Sequence, residues 1–404
     1  MMDANKYNYT VYGHLEKFFL LFTFLKRSQK SPMMVSYFET NGASAFLFSK
    51  GTLHPFLQKF FGQTDRWQRL VFGSASYYFS MYSACFPSPL TFSVLNDLRL
   101  PYSNSDLDIT DTAPMLKELE LPSGDRFFNS SLPYSQLSHL NFNPELDNFR
   151  SLFSMSPGLR SLEIAESLSS FDSDAEQYMA MSCSPILELL TIHHGFHLPN
   201  SQSVLPFLKL PSLKSLRLKP DSRCATRETP WASFELFVGF VHRLALQLTT
   251  LSIQSLSLTD SNLVHLLIHL PTLQDLTLDD SHLVVSPISS EFIESLHGHR
   301  PSSLHPQTEP IIPRLHSLRL LNVGATVFRD ASVVDMVQSR WIPDRRSASN
   351  SVGTLALEVD CLREFTMTFR KRSKEQAGDV YDSLEHVERD GMRVVVSWVK
   401  PDDK

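Results

Sequence analysis

Leu210-Pro211-Ser212-Leu213-Lys214-Ser215-Leu216-Arg217-Leu218 is the stretch on which the reading of this chain turns. Reduced to a pattern it is P-x-L-x-x-L-x-L. The pattern returns as Pro271-Thr272-Leu273-Gln274-Asp275-Leu276-Thr277-Leu278 and as Pro313-Arg314-Leu315-His316-Ser317-Leu318-Arg319-Leu320. In an x-L-x-L-x run alternate side chains point to opposite faces of a strand, so the leucines face one way and the intervening residues the other. The leading leucine, three residues earlier, lies on the approach to the strand and can fill the same core layer. Proline cannot donate to a strand ladder, which suits the turn before the strand.

Working outward, looser copies are Pro114-x-Leu116-x-x-Leu119-x-Leu121, Leu137-x-x-Leu140-x-Phe142, Pro157-x-Leu159-x-x-Leu162-x-Ile164 and Pro185-x-Leu187-x-x-Leu190-x-Ile192. Weaker ones are Trp67-x-x-Leu70-x-Phe72 and Leu95-x-x-Leu98-x-Leu100. Leu248-x-x-Leu251-x-Ile253 fits too, with Ile253-x-x-Leu256-x-Leu258 as a competing register. The first apolar positions are 67, 95, 116, 137, 159, 187, 213, 248, 273 and 315, giving spacings of 28, 21, 21, 22, 28, 26, 35, 25 and 42. Most fall within the roughly 20–29 residues of a leucine-rich repeat. One such unit cannot bury its apolar face alone, so neighbours must stack. The expected fold is therefore α/β: an irregular leucine-rich-repeat solenoid, or horseshoe. Each repeat places one parallel strand on the concave face and returns through a helical or loop connector.

Length alone would suggest about two to three domains, but a solenoid grows by adding layers. The chain is 42% hydrophobic and 20% charged, as soluble globular chains are. A net charge of -6 lacks the basic footprint of a nucleic-acid binder. Cys85, Cys183, Cys224 and Cys361 are scattered without a C-x-x-C. That argues against a disulfide framework or zinc site and for a reducing compartment, cytoplasmic or nuclear.

Residues 1–30 read as an N-terminal helix and cap. Met1 to Thr10 is polar and expected to fray. Phe18 to Leu25 is apolar but far short of the ~20 residues that span a bilayer, and Lys26-Arg27-Ser28-Gln29-Lys30 replaces the small-residue cleavage site of a signal peptide. Residues 31–404 read as the repeat domain. Ser31 to Phe38 is a first strand, and Leu53 to Phe61 has a helical apolar period. Asn262 to Leu270 is the clearest connector helix. The segment at about 286–312, rich in Pro, Ser and His, reads as an insertion whose middle, Gly298 to Glu309, is exposed. Asp330 can cap a helix running to Trp341. A C-terminal cap at about 355–404 holds strands at Leu355–Val359, Phe365–Phe369 and Met392–Trp398. Its helix, Val380–Arg389, buries Tyr381, Leu384 and Val387.

The chain has no phosphate-cradling G-x-x-x-x-G-K-[ST], no G-x-G-x-x-G, no G-x-S-x-G and no H-E-x-x-H. His193-His194-Gly195-Phe196-His197 has no carboxylate or cysteine at metal-ligand spacing and reads as a loop off the solenoid. Asp279, Asp280 and His282 read as exposed strand-end residues rather than a cation site. Arg370-Lys371-Arg372-Ser373-Lys374 reads as a solvated loop rather than a nuclear signal or phosphate contact. The expectation is no enzyme activity, no catalytic residue, no metal and no cofactor.

The chain resembles the F-box-type leucine-rich-repeat proteins of mushroom-forming (basidiomycete) fungi. The features shared are Leu25-Lys26-Arg27-Ser28 followed by Pro32, Arg66-Trp67-Gln68-Arg69-Leu70, the repeated L-P-x-L-x-x-L-x-L, Met336-Val337-Gln338-Ser339-Arg340-Trp341, and Gly391-Met392-Arg393-Val394-Val395-Val396. The similarity runs from about Leu25 to Trp398. Members usually open with an F-box, a short helical module beginning with Leu-Pro; Met1 to Phe24 shows no such opening, so that module is read as absent or truncated. The resemblance implies the substrate-recognition part of a ubiquitin-ligase receptor. A cullin-ligase adaptor is an expected partner only if an F-box lies upstream.

The function expected is non-catalytic protein–protein interaction by a monomer, with no nucleic acid and no membrane involved. A ligand- or carbohydrate-binding repeat scaffold unrelated to ubiquitin is the alternative. The strand period places Glu118, Glu120, His139, Asn141, Glu163, Arg217, Lys219, Asp275, Thr277 and Arg319 on the exposed concave face. That face is expected to be acidic in its first half, basic near Arg217 and mixed beyond.

Overall fold

The computed structural model describes residues 8–11, 31–37, 48–49, 52–53, 55–72, 90–100, 109, 111–123, 132–143, 146–165, 167–168, 182–194, 202–220, 231, 233–244, 247–283, 286–298, 310–324, 328–341, 359–370, 372 and 379–399. The chain divides into two units, residues 1–164 and 165–404. In the first, β1 (Asn8–Val11), β2 (Met33–Tyr37), β3 (Trp67–Phe72), β4 (Asp97–Arg99), β5 (Glu118–Ser123), β6 (His139–Asn143) and β7 (Ser161–Ala165) pair in chain order, every pair parallel. The second unit repeats the construction with β8 (Leu189–His194), β9 (Ser215–Pro220), β10 (Thr250–Gln254), β11 (Asp275–Asp279), β12 (Ser317–Val323), β13 (Glu364–Arg370) and β14 (Arg393–Val399). Successive addition of one parallel strand after each connector makes this a solenoid-like α/β fold.

The leucine pattern explains the ladder. The leading residues Leu116, Leu137, Leu159, Leu187, Leu213, Leu248, Leu273 and Leu315 are all fully buried. So are the inward strand residues, which the register sets side by side: Leu216 beside Leu251, then Leu276, Leu318 and Phe365. Burying each such side chain contributes about 1.5–3 kcal/mol. At 248–258 the first register holds: β10 buries Leu251 and Ile253.

A backbone device recurs with the repeat. The carbonyl oxygens of Asn96, Lys117 and Ser138, and in the second unit those of Glu188, Lys214, Thr249, Gln274 and His316, each accept two consecutive N–H groups from the start of the following strand. The Lys214 oxygen, for example, receives Thr249 N at 2.9 Å and Thr250 N at 3.0 Å. This satisfies the amides where the chain turns into the ladder. The His316 oxygen does the same for Arg363 and Glu364, which marks Leu362-x-x-Phe365-x-Met367 as a further copy. Leu362, Phe365 and Met367 are fully buried.

The connectors include α1 (Pro55–Phe61), α2 (Leu146–Met155), α3 (Phe234–Leu244), α4 (Asp260–Ile268), α5 (Ser290–Ser295), α6 (Asp330–Arg340) and α7 (Glu385–Arg389). Phe60 and Phe61 of α1 pack on buried Trp67, with ring centroids 4.9 and 5.5 Å away. Thr259 and Ser289 cap α4 and α5, their hydroxyls accepting from Asn262 N and Phe292 N at 3.1 Å. None of the helices among the described residues is long and apolar enough to cross a membrane.

Several expectations change. Of the N-terminal stretch expected to fray, Asn8, Tyr9 and Thr10 lie in β1, and residues 1–7 lie outside the described residues. The helix expected within residues 14–25 and the proposed strand residues 355–358 lie outside the described residues. The flanks of the expected insertion at 286–312 belong to the core: Ile288, Phe292, Ile293, Leu296, Ile311 and Ile312 are buried, while 299–309, most of the middle expected to be exposed, lie outside the described residues. Its serines and prolines mark a helix cap and turns. A Cβ on Gly298 would lie 2.7 Å from the Ser339 carbonyl oxygen, so α6 passes too close for a side chain there. In the C-terminal segment, β13 and β14 extend the parallel ladder itself. The 380–389 helix splits into a 3-10 turn, Val380–Leu384, and α7. Asp330 opens α6 as its first helical residue, after Arg329 at the cap position, and its carboxylate is taken by side chains described below.

Candidate functional site

Residues between the leucines emerge in two rows on the outward side of each ladder. In the first unit the register aligns Arg69, Asp97, Glu118, His139 and Ser161 in one row, and Val71, Arg99, Glu120, Asn141 and Glu163 in the next. Arg69 contacts Asp97 at 2.8 Å, and Arg99 reaches Asp97 at 3.4 Å and Glu120 at 3.2 Å. In the first half of the face, expected to be acidic, two guanidiniums are interleaved with four carboxylates, and an acid surplus remains. Glu118 and His139 are exposed, while Glu120, Asn141 and Glu163 are half-buried. Ser138 Oγ lies 2.8 Å from His139 Nδ1.

In the second unit one row is Ser215, Thr250, Asp275, Ser317, Glu364 and Arg393; the other is Arg217, Ser252, Thr277, Arg319, Thr366 and Val395. Arg217 and Arg319 are exposed and Asp275, Thr277 and Lys219 half-buried. Lys219 sits beside His193. Glu364 is the centre of this face. It accepts from Arg319 at 3.0 Å, Arg393 at 3.1 Å and Ser317 at 3.3 Å. The hydrogen bond from Arg319, with the charge of both arginines, holds its carboxyl below the usual range. Thr250 donates to Asp275 at 3.3 Å.

Sequence reasoning placed all ten outward residues on strands but missed Arg69, Asp97, Arg99, Glu364 and Arg393. Arg69, Glu364 and Arg393 sit in copies where Trp, Phe, Met or Val replaces leucine, whereas Asp97 and Arg99 sit in the leucine copy at 95–100; strict alternation at 97–100 and around Phe365 was the available signal.

Where β11 ends, the reading of Asp279, Asp280 and His282 as exposed residues needs correction. His282 is exposed, but Asp280 is 3% exposed and accepts from Ser286 Oγ. Asn322 Nδ2 donates to Asp279 Oδ1 and Ser281 Oγ, each at 3.0 Å. Asn322 has a φ of 54°, the left-handed region that asparagine tolerates. Burial pushes the Asp280 carboxyl up to about 6. A raised folded-state value means the native protein holds more protons than the unfolded chain between about pH 4 and 6, so stability falls as pH rises through that window. The loss is on the order of 2–3 kcal/mol above it. Asp280→Asn should raise the urea midpoint at pH 7.5 and leave it nearly unchanged at pH 4; an equal shift at both pH values would contradict this account.

The basic run Arg370–Lys374 is also not simply a solvated loop. The Arg370 guanidinium donates to the carbonyls of Ser281 and Leu283. Arg372 pairs with Asp330 through both terminal nitrogens and lies 4.9 Å over the Phe369 ring, while Tyr381 donates to Asp330 at 2.8 Å. Residues 371, 373 and 374 lie outside the described residues. His194 is buried, with Nε2 2.9 Å from the Gln254 carbonyl oxygen; 195–197 lie outside the described residues. Among the described residues no group of three His, Cys, Asp or Glu side chains is placed to hold a metal ion.

No family model and no curated protein matches this chain.

Proposed function

We propose that the chain is a leucine-rich-repeat horseshoe that binds a protein partner through its outward strand faces and performs no catalysis. The observation that carries this reading is the pair of rows on each ladder. Charged and hydroxyl side chains stand at the ~4.8 Å spacing of adjacent strands, anchored to a layer of buried leucines. Rows of this kind offer many shallow polar contacts and no enclosed acid–base pair. Resemblance to the F-box-type family adds the role of substrate recognition for a ubiquitin ligase, with adaptor contact depending on an F-box. A reducing compartment, cytoplasmic or nuclear, fits that role.

The acid surplus of the first unit favours a basic segment in the partner, and such complementarity acts mainly on association rate. The test is Glu118→Lys combined with Glu120→Lys, measured against a partner captured by proximity labelling. Association should slow by about fivefold or more at low salt and lose most of its salt dependence. An unchanged rate, with binding abolished instead by changes in α3 and α4, would move the site off the strands.

A further inference from the structure

The ladder of the second unit ends at β14, and among the described residues no strand pairs with its far edge. The Arg393 N–H donates back to the Arg363 carbonyl oxygen at 2.9 Å. Backbone groups alternate along a strand, so Val394, Val396 and Trp398 present their N–H and C=O groups to the open edge. Natural edge strands are blunted by charges, proline or a bulge. From Val394 to Val399 β14 has no charge and no proline, and its register with β13 runs without a shift. The core layer is unfinished there as well. Phe365, Met367 and Phe369 of β13 are fully buried, whereas their register partners Val394, Val396 and Trp398 are only half-buried.

We propose that β14 pairs antiparallel with β14 of a second copy of this chain, about a two-fold axis at Val396, so that the ladders of the two copies run on into one sheet. This goes beyond binding through the outward faces and replaces the monomer expected from the sequence. About that axis all seven residues of the strand pair: Val396 with itself, Val394 with Trp398, Val395 with Ser397 and Arg393 with Val399. Opposed residues in an antiparallel ladder alternate between hydrogen-bonded and non-hydrogen-bonded pairs. Here the hydrogen-bonded pairs are Val396 with Val396 and Val394 with Trp398, the residues whose backbone groups are open. A two-fold axis normal to the sheet keeps each face on its own side. The inward Val394, Val396 and Trp398 of each copy therefore cover those of the other, which is the self-complementarity that a two-fold interface demands. Charge agrees with this occupant. Arg393 is the one charged residue of the strand, and the axis sets the two copies of it at opposite ends of the pairing, about 20 Å apart at ~3.4 Å per residue.

The test is sedimentation equilibrium of the full chain and two charged variants. The parent should be a dimer at about 50 µM and dissociate on dilution. Val395→Lys with Ser397→Lys sets like charges opposite one another on the outward side of the axis and should weaken the dimer about tenfold or more. Val395→Glu with Ser397→Glu should do the same. Mixed in equal amounts, the two variants should dimerise again, which a folding defect would not allow. In the parent, hydrogen exchange at the amides of Val394, Val396 and Trp398 should slow as concentration rises. A parent that stays monomeric, exchange independent of concentration, or a mixture no more dimeric than its parts would overturn the proposal. A lysine variant as dimeric as the parent would overturn it too, by placing the interface on another surface.

Discussion

Arg340→Met is expected to remove on the order of 3–5 kcal/mol from the stability of the second unit. Arg340 has no exposed surface at all. Its guanidinium donates to three backbone carbonyls: Nη1 to Ile312 at 3.1 Å, Nη2 to Ile311 at 2.6 Å, and Nε to Leu296. Leu296 caps the C-terminus of α5, and Arg340 itself ends α6. Helix C-termini carry partial negative charge and unpaired carbonyls, so the cation sits where the backbone can solvate it. Burial lowers its pKa to about 10, which still leaves it charged at neutral pH. Methionine would fill most of the volume and take the guanidinium from the Leu296 and Ile311 oxygens, each such loss costing about 1–3 kcal/mol, while the Ile312 oxygen keeps the Leu315 amide at 3.3 Å. Arg340→Lys should recover part of the loss, because an ammonium lacks the fork that spans three carbonyls. Urea midpoints with a common slope read this directly. A change below about 1 kcal/mol for the methionine variant would show that these carbonyls are satisfied in another way.

The ladder was legible because period two and burial are one signal. Wherever leucines alternate, as at 116–121, 213–218 and 273–278, the inward and outward assignments hold. Legibility faded where other apolar residues do the leucines' work. Phe365 and Met367 hid the copy that brings Glu364 onto the outward face, and Trp67 and Phe72 obscured the row that begins with Arg69. Buried polar residues were the least legible. Arg340 at a helix C-terminus reads as an ordinary complement to the helix dipole, and Asp280 after a strand reads as a solvated turn. Only the packing of α5, α6 and the strand ends decides that they are enclosed.

The central claim is that each strand is two-sided, with leucines forming the core and the alternate residues facing outward. Leu276→Ala against Thr277→Ala tests it most directly. Leu276 is fully buried between Leu251 and Leu318 of the adjacent strands, with Leu273 and Leu278 buried in its own repeat. Strands hydrogen-bonded on both sides cannot collapse into the space a leucine leaves, so truncation should cost about 2–5 kcal/mol from lost transfer energy plus the cavity. Thr277 is one residue away on the outward side, between Ser252 and Arg319. Its truncation should cost about 0.5 kcal/mol or less. At about 2–4 °C per kcal/mol for a unit of this size, the account predicts a melting drop of several degrees or more for Leu276→Ala and almost none for Thr277→Ala. Equal drops in the two variants would contradict it.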